Sequence, residues 1–232
     1  MNRIPNKVSR ESTGSVQPAA GAVEEEEPAA YGSSPTGNAA RTPLRLRLRQ
    51  ATADAHRQTE QQMAVLADLT TAQGYGVYLR TMLRLHTELN ADLAQVATAC
   101  GLCDRNPALT AALRADLAGL ARTPALRHNQ RATSRPAPPA VPERLSLPVS
   151  FGRAYVMEGS ALGAQLLRRR LLSAGGPQPL AYLSLLSEDH GQRWRAFCDA
   201  LNALSQIDVP SVCLAAQATF ARVAECLAEE AS

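Results

Sequence analysis

One stretch limits what this chain can become. Residues 151–172, FGRAYVMEGSALGAQLLRRRLL, have helical periodicity, with Tyr155, Leu162 and Leu166 recurring at spacings of seven and four. Gly159 and Gly163 nevertheless sit in the middle, one turn apart on one face, and Ser160 and Ala164 widen that face into a strip with almost no side chain. An interior glycine costs about 1 kcal/mol against alanine, so the pair gives up roughly 2 kcal/mol of local helix stability. Such a strip serves a close approach to the backbone. The approach is either a tight helix crossing or bend, or a helix lying across a flat ligand.

The surrounding composition narrows the fold. Of 232 residues, 45% are hydrophobic and 4% aromatic. Leu and Ala dominate and strand formers are scarce, so the expected class is all-α, a single multi-helix domain. A net charge of +3 is too small to imply nucleic acid, and no basic stripe carries interleaved aromatics. No apolar run approaches the roughly 18 residues of a membrane span. The N-terminus lacks an apolar signal core, and its EEEE run argues against a transit peptide. Five cysteines with no extracellular signature read as reduced thiols, giving a cytoplasmic protein, expected to be a monomer.

Residues 1–41 hold Pro, Gly, Ser and the run Glu24–Glu27 without helical or strand period, and are expected to be a disordered tail. Residues 42–232 are expected to form the domain. Thr42-Pro43 suggests an N-cap and first turn, and one helix is expected from Pro43 to about Leu66. Thr71 to Ala99 reads as a second helix whose apolar face holds Tyr75, Tyr78, Leu79, Met82, Leu85, Leu89 and Leu93, with His86 a core histidine. Cys100 and Cys103 form a lone CxxC, read as structural. Asn106-Pro107 opens a third helix to Ala121. A proline-rich loop is expected over 123–148, before the glycine-bearing helix, which should stop at Gly175-Gly176. One or two helices follow over Leu180–Leu204 with Trp194, Phe197 and Leu201 inward, and a last amphipathic helix over Val209–Glu229.

On the first helix Arg49, Thr52, His56 and Glu60 fall on one stripe. A carboxylate one turn from an imidazole can hold one tautomer and leave the far nitrogen free for a metal. Arg49 stands about 10.5 Å along the axis from His56, close to the reach from a porphyrin centre to its propionates. The plainer reading of the stripe is a surface His–Glu pair worth a few tenths of a kcal/mol.

LRQATADAHRQTE near the start and GRAYVMEGSALGAQLLRRRL a hundred residues on, with RADLAGL, GQRWRAFCDAL and AAQATFARVAECL in order, resemble the haem oxygenase family of bacterial type over about residues 44–230. The resemblance implies one helical domain with haem b between a proximal and a distal helix. It makes His56 the iron ligand, Glu60 its orienting partner, and Arg49 and Tyr155 the propionate contacts. Gly159 and Gly163 become the distal glycines, and Ser160 a holder of the distal water network. It also implies opening of haem to biliverdin, iron(II) and carbon monoxide with O2. The electrons would come from an external donor such as a ferredoxin, flavodoxin or reductase, for which Arg153 and Arg168–Arg170 offer a docking surface. Two departures stand out: Ala164 replaces a further glycine, and Glu188-Asp189-His190-Gly191 replaces the family's tyrosine–glycine before the tryptophan segment. The competing readings are a haem carrier or sensor without turnover, and a helical interaction module without ligand.

Overall fold

Helical periodicity governs the chain wherever its structure is described, in residues 42–122, 146–203 and 208–232 of a computed structural model. Eight α-helices lie within them: α1 Leu44–Leu66, α2 Ala72–Glu88, α3 Asn90–Ala99, α4 Asn106–Ala121, α5 Leu147–Ser173, α6 Ala181–Ser187, α7 His190–Ala203 and α8 Val209–Ala231. Among the described residues there is no strand, and the all-α expectation holds. The expected tail, residues 1–41, and most of the expected proline-rich loop, residues 123–145, lie outside the described residues.

The long helices α5 and α8 form the centre. α8 packs on α5, α1 and α2, and α5 also carries α3, α6 and α7. One apolar core runs through them, with Leu48, Leu79, Leu85, Leu113, Phe151, Tyr182 and Phe197 almost wholly enclosed. Each such side chain contributes about 1.5–3 kcal/mol on burial. By length and composition α8 could cross a bilayer. Here its apolar side, Val212, Ala216, Phe220, Val223 and Leu227, faces the core.

Helix ends follow local chemistry with several corrections. Pro43, not Thr42, is the N-cap of α1, and no side chain among the described residues caps that end. The alternating LRLRLR resolves into a helix because Leu44 and Leu48, four apart, share the buried face while Arg45, Arg47 and Arg49 stay exposed. Thr71 caps α2 by accepting from Gly74 N–H at 3.0 Å. The expected second helix breaks at Leu89 (φ −95°, ψ 10°) into α2 and α3. Leu85, Leu89 and Leu93 are all buried across the break, so apolar spacing did not reveal it. Pro148 belongs to the first turn of α5 rather than to the loop before it. That helix ends in a Schellman turn, with Gly175 at φ +62° and Gly176 N–H donating to Leu171 O at 2.8 Å. The substituted turn before the tryptophan segment forms as well. Asp189 takes a positive φ of 50° between α6 and α7, a conformation aspartate tolerates better than most residues. Asp116 on α4 accepts from the backbone N–H groups of Ala181 and Tyr182 (3.1 and 2.9 Å), capping α6 from a distance.

The glycine that serves a helix crossing is one that the sequence reading did not single out. A Cβ at Gly152 would strike Val212 O and lie 2.7 Å from Ala215 Cβ and 3.1 Å from Ala216 N, so α5 and α8 meet backbone to backbone there.

Candidate functional site

α1 buries Leu48, Thr52 and Thr59 against its neighbours, which turns His56 and Glu60 outward. Their side chains are 57% and 70% exposed, and His56 Nδ1 lies 3.5 Å from Glu60 Oε2. That is ion-pair range, longer than a good hydrogen bond. The ring is not loose on the surface. It meets Phe220 of α8 edge-on, with centroids 5.5 Å apart and planes at 82°. Gln217 on the same face of α8 donates to Ala51 O at 2.7 Å, and Gln62 donates to Ala224 O at 3.2 Å, tying the two helices together on either side of the imidazole.

Gly159 and Gly163 lie on the exposed side of α5, while Ala164, expected to widen the strip, is buried with Ala161 and Leu171 on the packed side. A Cβ at Gly159 would sit 3.8 Å from Trp194 Cη2 and Cζ3, ordinary van der Waals contact. At Gly163 it would meet no atom of the described residues within 4 Å. Neither glycine is required by packing, so the helix-crossing explanation does not hold for this pair. Leu162 and Leu166, on the same face, stand 52% and 56% exposed. Ser160 Oγ donates to Met157 O at 2.7 Å, which leaves its lone pairs as acceptors.

Tyr155 joins the two helices. Its hydroxyl interacts with the Thr52 side chain, and Arg49 acts on it electrostatically. Burial raises its pKa, and the Thr52 interaction opposes that. From this contact His56 is one turn further along α1, and Gly159 one turn further along α5. The tyrosine ring also rests on Trp194 (5.6 Å), which stacks on Phe197 (5.4 Å, 13°).

Behind the strip lies a buried ionic cluster. Glu158 accepts from Arg105 Nη2 at 2.8 Å and from Arg193 Nη2 at 3.1 Å. Burial lowers the Arg105 pKa, and the Glu158 charge works against that shift. His86 is likewise satisfied and buried, as its position on α2 suggested, with Asn106 at Nδ1 (2.6 Å) and Tyr182 at Nε2 (3.1 Å). Arg153, expected on a docking surface, is held by Asp92 at 2.9 Å, and Arg168 donates to Ser184 at 2.8 Å. Arg169 and Arg170 remain exposed.

Four features escaped the sequence reading: the Phe220 edge, the Thr52–Tyr155 contact, Trp194 over Gly159, and the Glu158 cluster. Phe220 and Trp194 were legible as apolar positions of amphipathic helices, but the residues they meet come from distant parts of the chain.

Comparison with known proteins places these observations. The sequence model of the family described as heme oxygenase matches residues 42–229. A curated protein named Heme oxygenase from Xanthomonas campestris pv. campestris (strain 8004) is 36% identical over 118 residues, 47% of this chain and 69% of that relative. The family match over residues 42–229 takes in every described helix that carries the candidate site, from the imidazole of α1 through the glycines of α5 to Phe220 of α8, and the chain belongs to the haem oxygenase family.

Proposed function

We propose that this chain is an active haem oxygenase, which binds haem b between α1 and α5 and opens it to biliverdin, iron(II) and carbon monoxide with O2 and external electrons. One observation carries the reading. Two glycines interrupt a long helix at a cost of about 2 kcal/mol, yet a Cβ would be accommodated at both. A strip kept bare without a packing reason suits a flat molecule lying on it.

The side chains fit that ligand. Among the described residues no hydrogen bond is made to His56 Nε2, so with Glu60 beside Nδ1 the far nitrogen is available to iron. Phe220 restricts the ring's rotation. Arg49, which acts electrostatically on Tyr155, and Tyr155 itself would receive the propionates, the arginine by charge and the phenol by donation. With His56 as its protein ligand, haem would supply the site where oxygen reacts and would itself be the molecule oxidised. Gly159 and Gly163 would leave room there, and Ser160, with acceptor capacity remaining, would hold water for proton delivery without supplying a strong acid. Electrons would come from a ferredoxin, flavodoxin or reductase, with Arg169 and Arg170 as the exposed cations for docking.

Haemin titration of the purified protein is the test. The expected result is a Soret shift in the wild type, its loss or a marked weakening in His56→Ala, and green bilin when reductant and oxygen are supplied. A shift without pigment supports a carrier instead. No shift at all would leave a helical module without this ligand.

A further inference from the structure

The clamp behind the glycine strip registers α5 on α7 at two adjacent points. Glu158 and Gly159 are neighbours on α5, and Arg193 and Trp194 are neighbours on α7. Glu158 pairs with Arg193 while the Gly159 backbone faces the indole of Trp194. A single contact between helices leaves a pivot, and two adjacent contacts remove it. Arg105 holds the other oxygen of Glu158 and also donates to Leu186 O at 3.1 Å, and Arg193 donates to Cys103 O at 3.2 Å. The carboxylate is therefore anchored from two directions. All three side chains are only 12–16% exposed. Among the described residues the Nε atoms of both arginines have no hydrogen-bond partner, beside a cavity of about 20 Å³ bordered by His86, Met157 and these groups. That space takes about one water, which would complete the cluster.

The clamp makes the bare strip asymmetric. At Gly159 it ends under the indole, backed by Tyr155 and Phe197. One turn further, at Gly163, it is open and flanked by exposed Leu162 and Leu166. A planar macrocycle can slide toward Gly163 but is stopped at Trp194. We propose that Trp194 is the wall that sets the in-plane seating of the macrocycle on α5, and that Glu158, held by Arg105 and Arg193, is the positioning residue for that wall. The inference rests on the haem reading above. It extends that reading to the edge of the ring presented to the distal strip, and so to which bilin isomer is released.

The lone tryptophan of the chain makes the clamp observable without turnover. Glu158→Asp keeps the charge and retracts the carboxylate by one methylene. The expected result is a shifted Trp194 emission maximum in the ligand-free protein, with the helical circular dichroism unchanged. A carboxylate that only stabilised the fold would lower the melting temperature and leave the emission of the folded protein where it was, and that outcome overturns the positioning role. For the wall itself, Trp194→Ala and Trp194→Phe are loaded with haemin. The haem methyl resonances in proton NMR report seating directly. Alanine should convert the wild-type pattern into a mixture of seatings, and phenylalanine should restore most of it. Haemin bound with an unchanged pattern in Trp194→Ala overturns this inference and leaves the haem reading intact. A wild type that does not bind haemin overturns both.

Discussion

The imidazole of His56 stands edge-on to the ring of Phe220, 5.5 Å between centroids and 82° between planes. A T-shaped pair is worth about 0.5–1.5 kcal/mol beyond its burial, and here it orients a ring that is otherwise more than half exposed. Phe220→Leu keeps most of the apolar volume and removes the aromatic edge. Haemin affinity should fall about two- to tenfold, measured by Soret titration. An unchanged affinity would mean that ring orientation does not limit binding.

The glycines of α5 separate by what surrounds them. Gly152→Ala forces a methyl group against the α8 backbone and should destabilise the protein by about 1–3 kcal/mol through overpacking. Gly163→Ala meets open space and should stabilise the ligand-free protein by up to about 1 kcal/mol through helix propensity. Urea unfolding of the two variants checks the opposite signs. Equal effects would contradict the packing described for α5.

His86 supplies a pH dependence. Asn106 Nδ2 donates to His86 O and to Asn90 Oδ1 (3.0 and 2.6 Å), which fixes the amide so that its oxygen faces His86 Nδ1. The proton is therefore on Nδ1, and Tyr182 donates to Nε2 of a neutral ring. Burial, opposed by the Asn106 hydrogen bond, lowers its pKa to about 4 from 6.5. Between these values the unfolded chain binds a proton that the folded one refuses. Stability is thus fully present above about pH 6.5 and falls as pH drops toward 4, by about 3 kcal/mol from this group. Unfolding curves at pH 7 and pH 4.5 should show the loss, and His86→Gln should remove that part of it. A slope identical in the variant would assign the dependence to other groups.

Arg49 is exposed, so a pairing with a haem carboxylate, as proposed, would be screened. Arg49→Glu should weaken haemin binding by about 1 kcal/mol, roughly fivefold, at low salt. The difference should shrink toward 1 M salt, where the screening length is about 3 Å. Titrations at two ionic strengths test this, and a salt-independent difference would argue for a role other than charge.

The helices, and the residues proposed for the two halves of the candidate site, were legible because their determinants are local. The 3.6-residue period put Thr52, His56 and Glu60 on one stripe and Gly159 and Gly163 on one face, and the Gly175-Gly176 stop followed from backbone conformation alone. Three local expectations misled. Thr42 gave way to Pro43 as the N-cap, Pro148 joined the first turn of α5 instead of the loop before it, and the apolar face through Leu89 hid a break. The same apolar spacing fits one helix or two when both segments bury the same side.

What only the tertiary structure decided is which face meets which. Nothing in the spacing of the glycines distinguishes a strip pressed on a neighbouring helix from one left clear of it, and the structure gives the close crossing to Gly152 and leaves Gly159 and Gly163 free of it. Nor does spacing join Phe220 to His56, Thr52 to Tyr155, or Glu158 to both Arg105 and Arg193. Those pairings arise from how α1, α5, α7, α8 and the start of α4 pack together. Helical periodicity is a property of neighbours a turn apart, whereas the fit of one helix surface on another depends on side-chain shapes supplied from far along the chain.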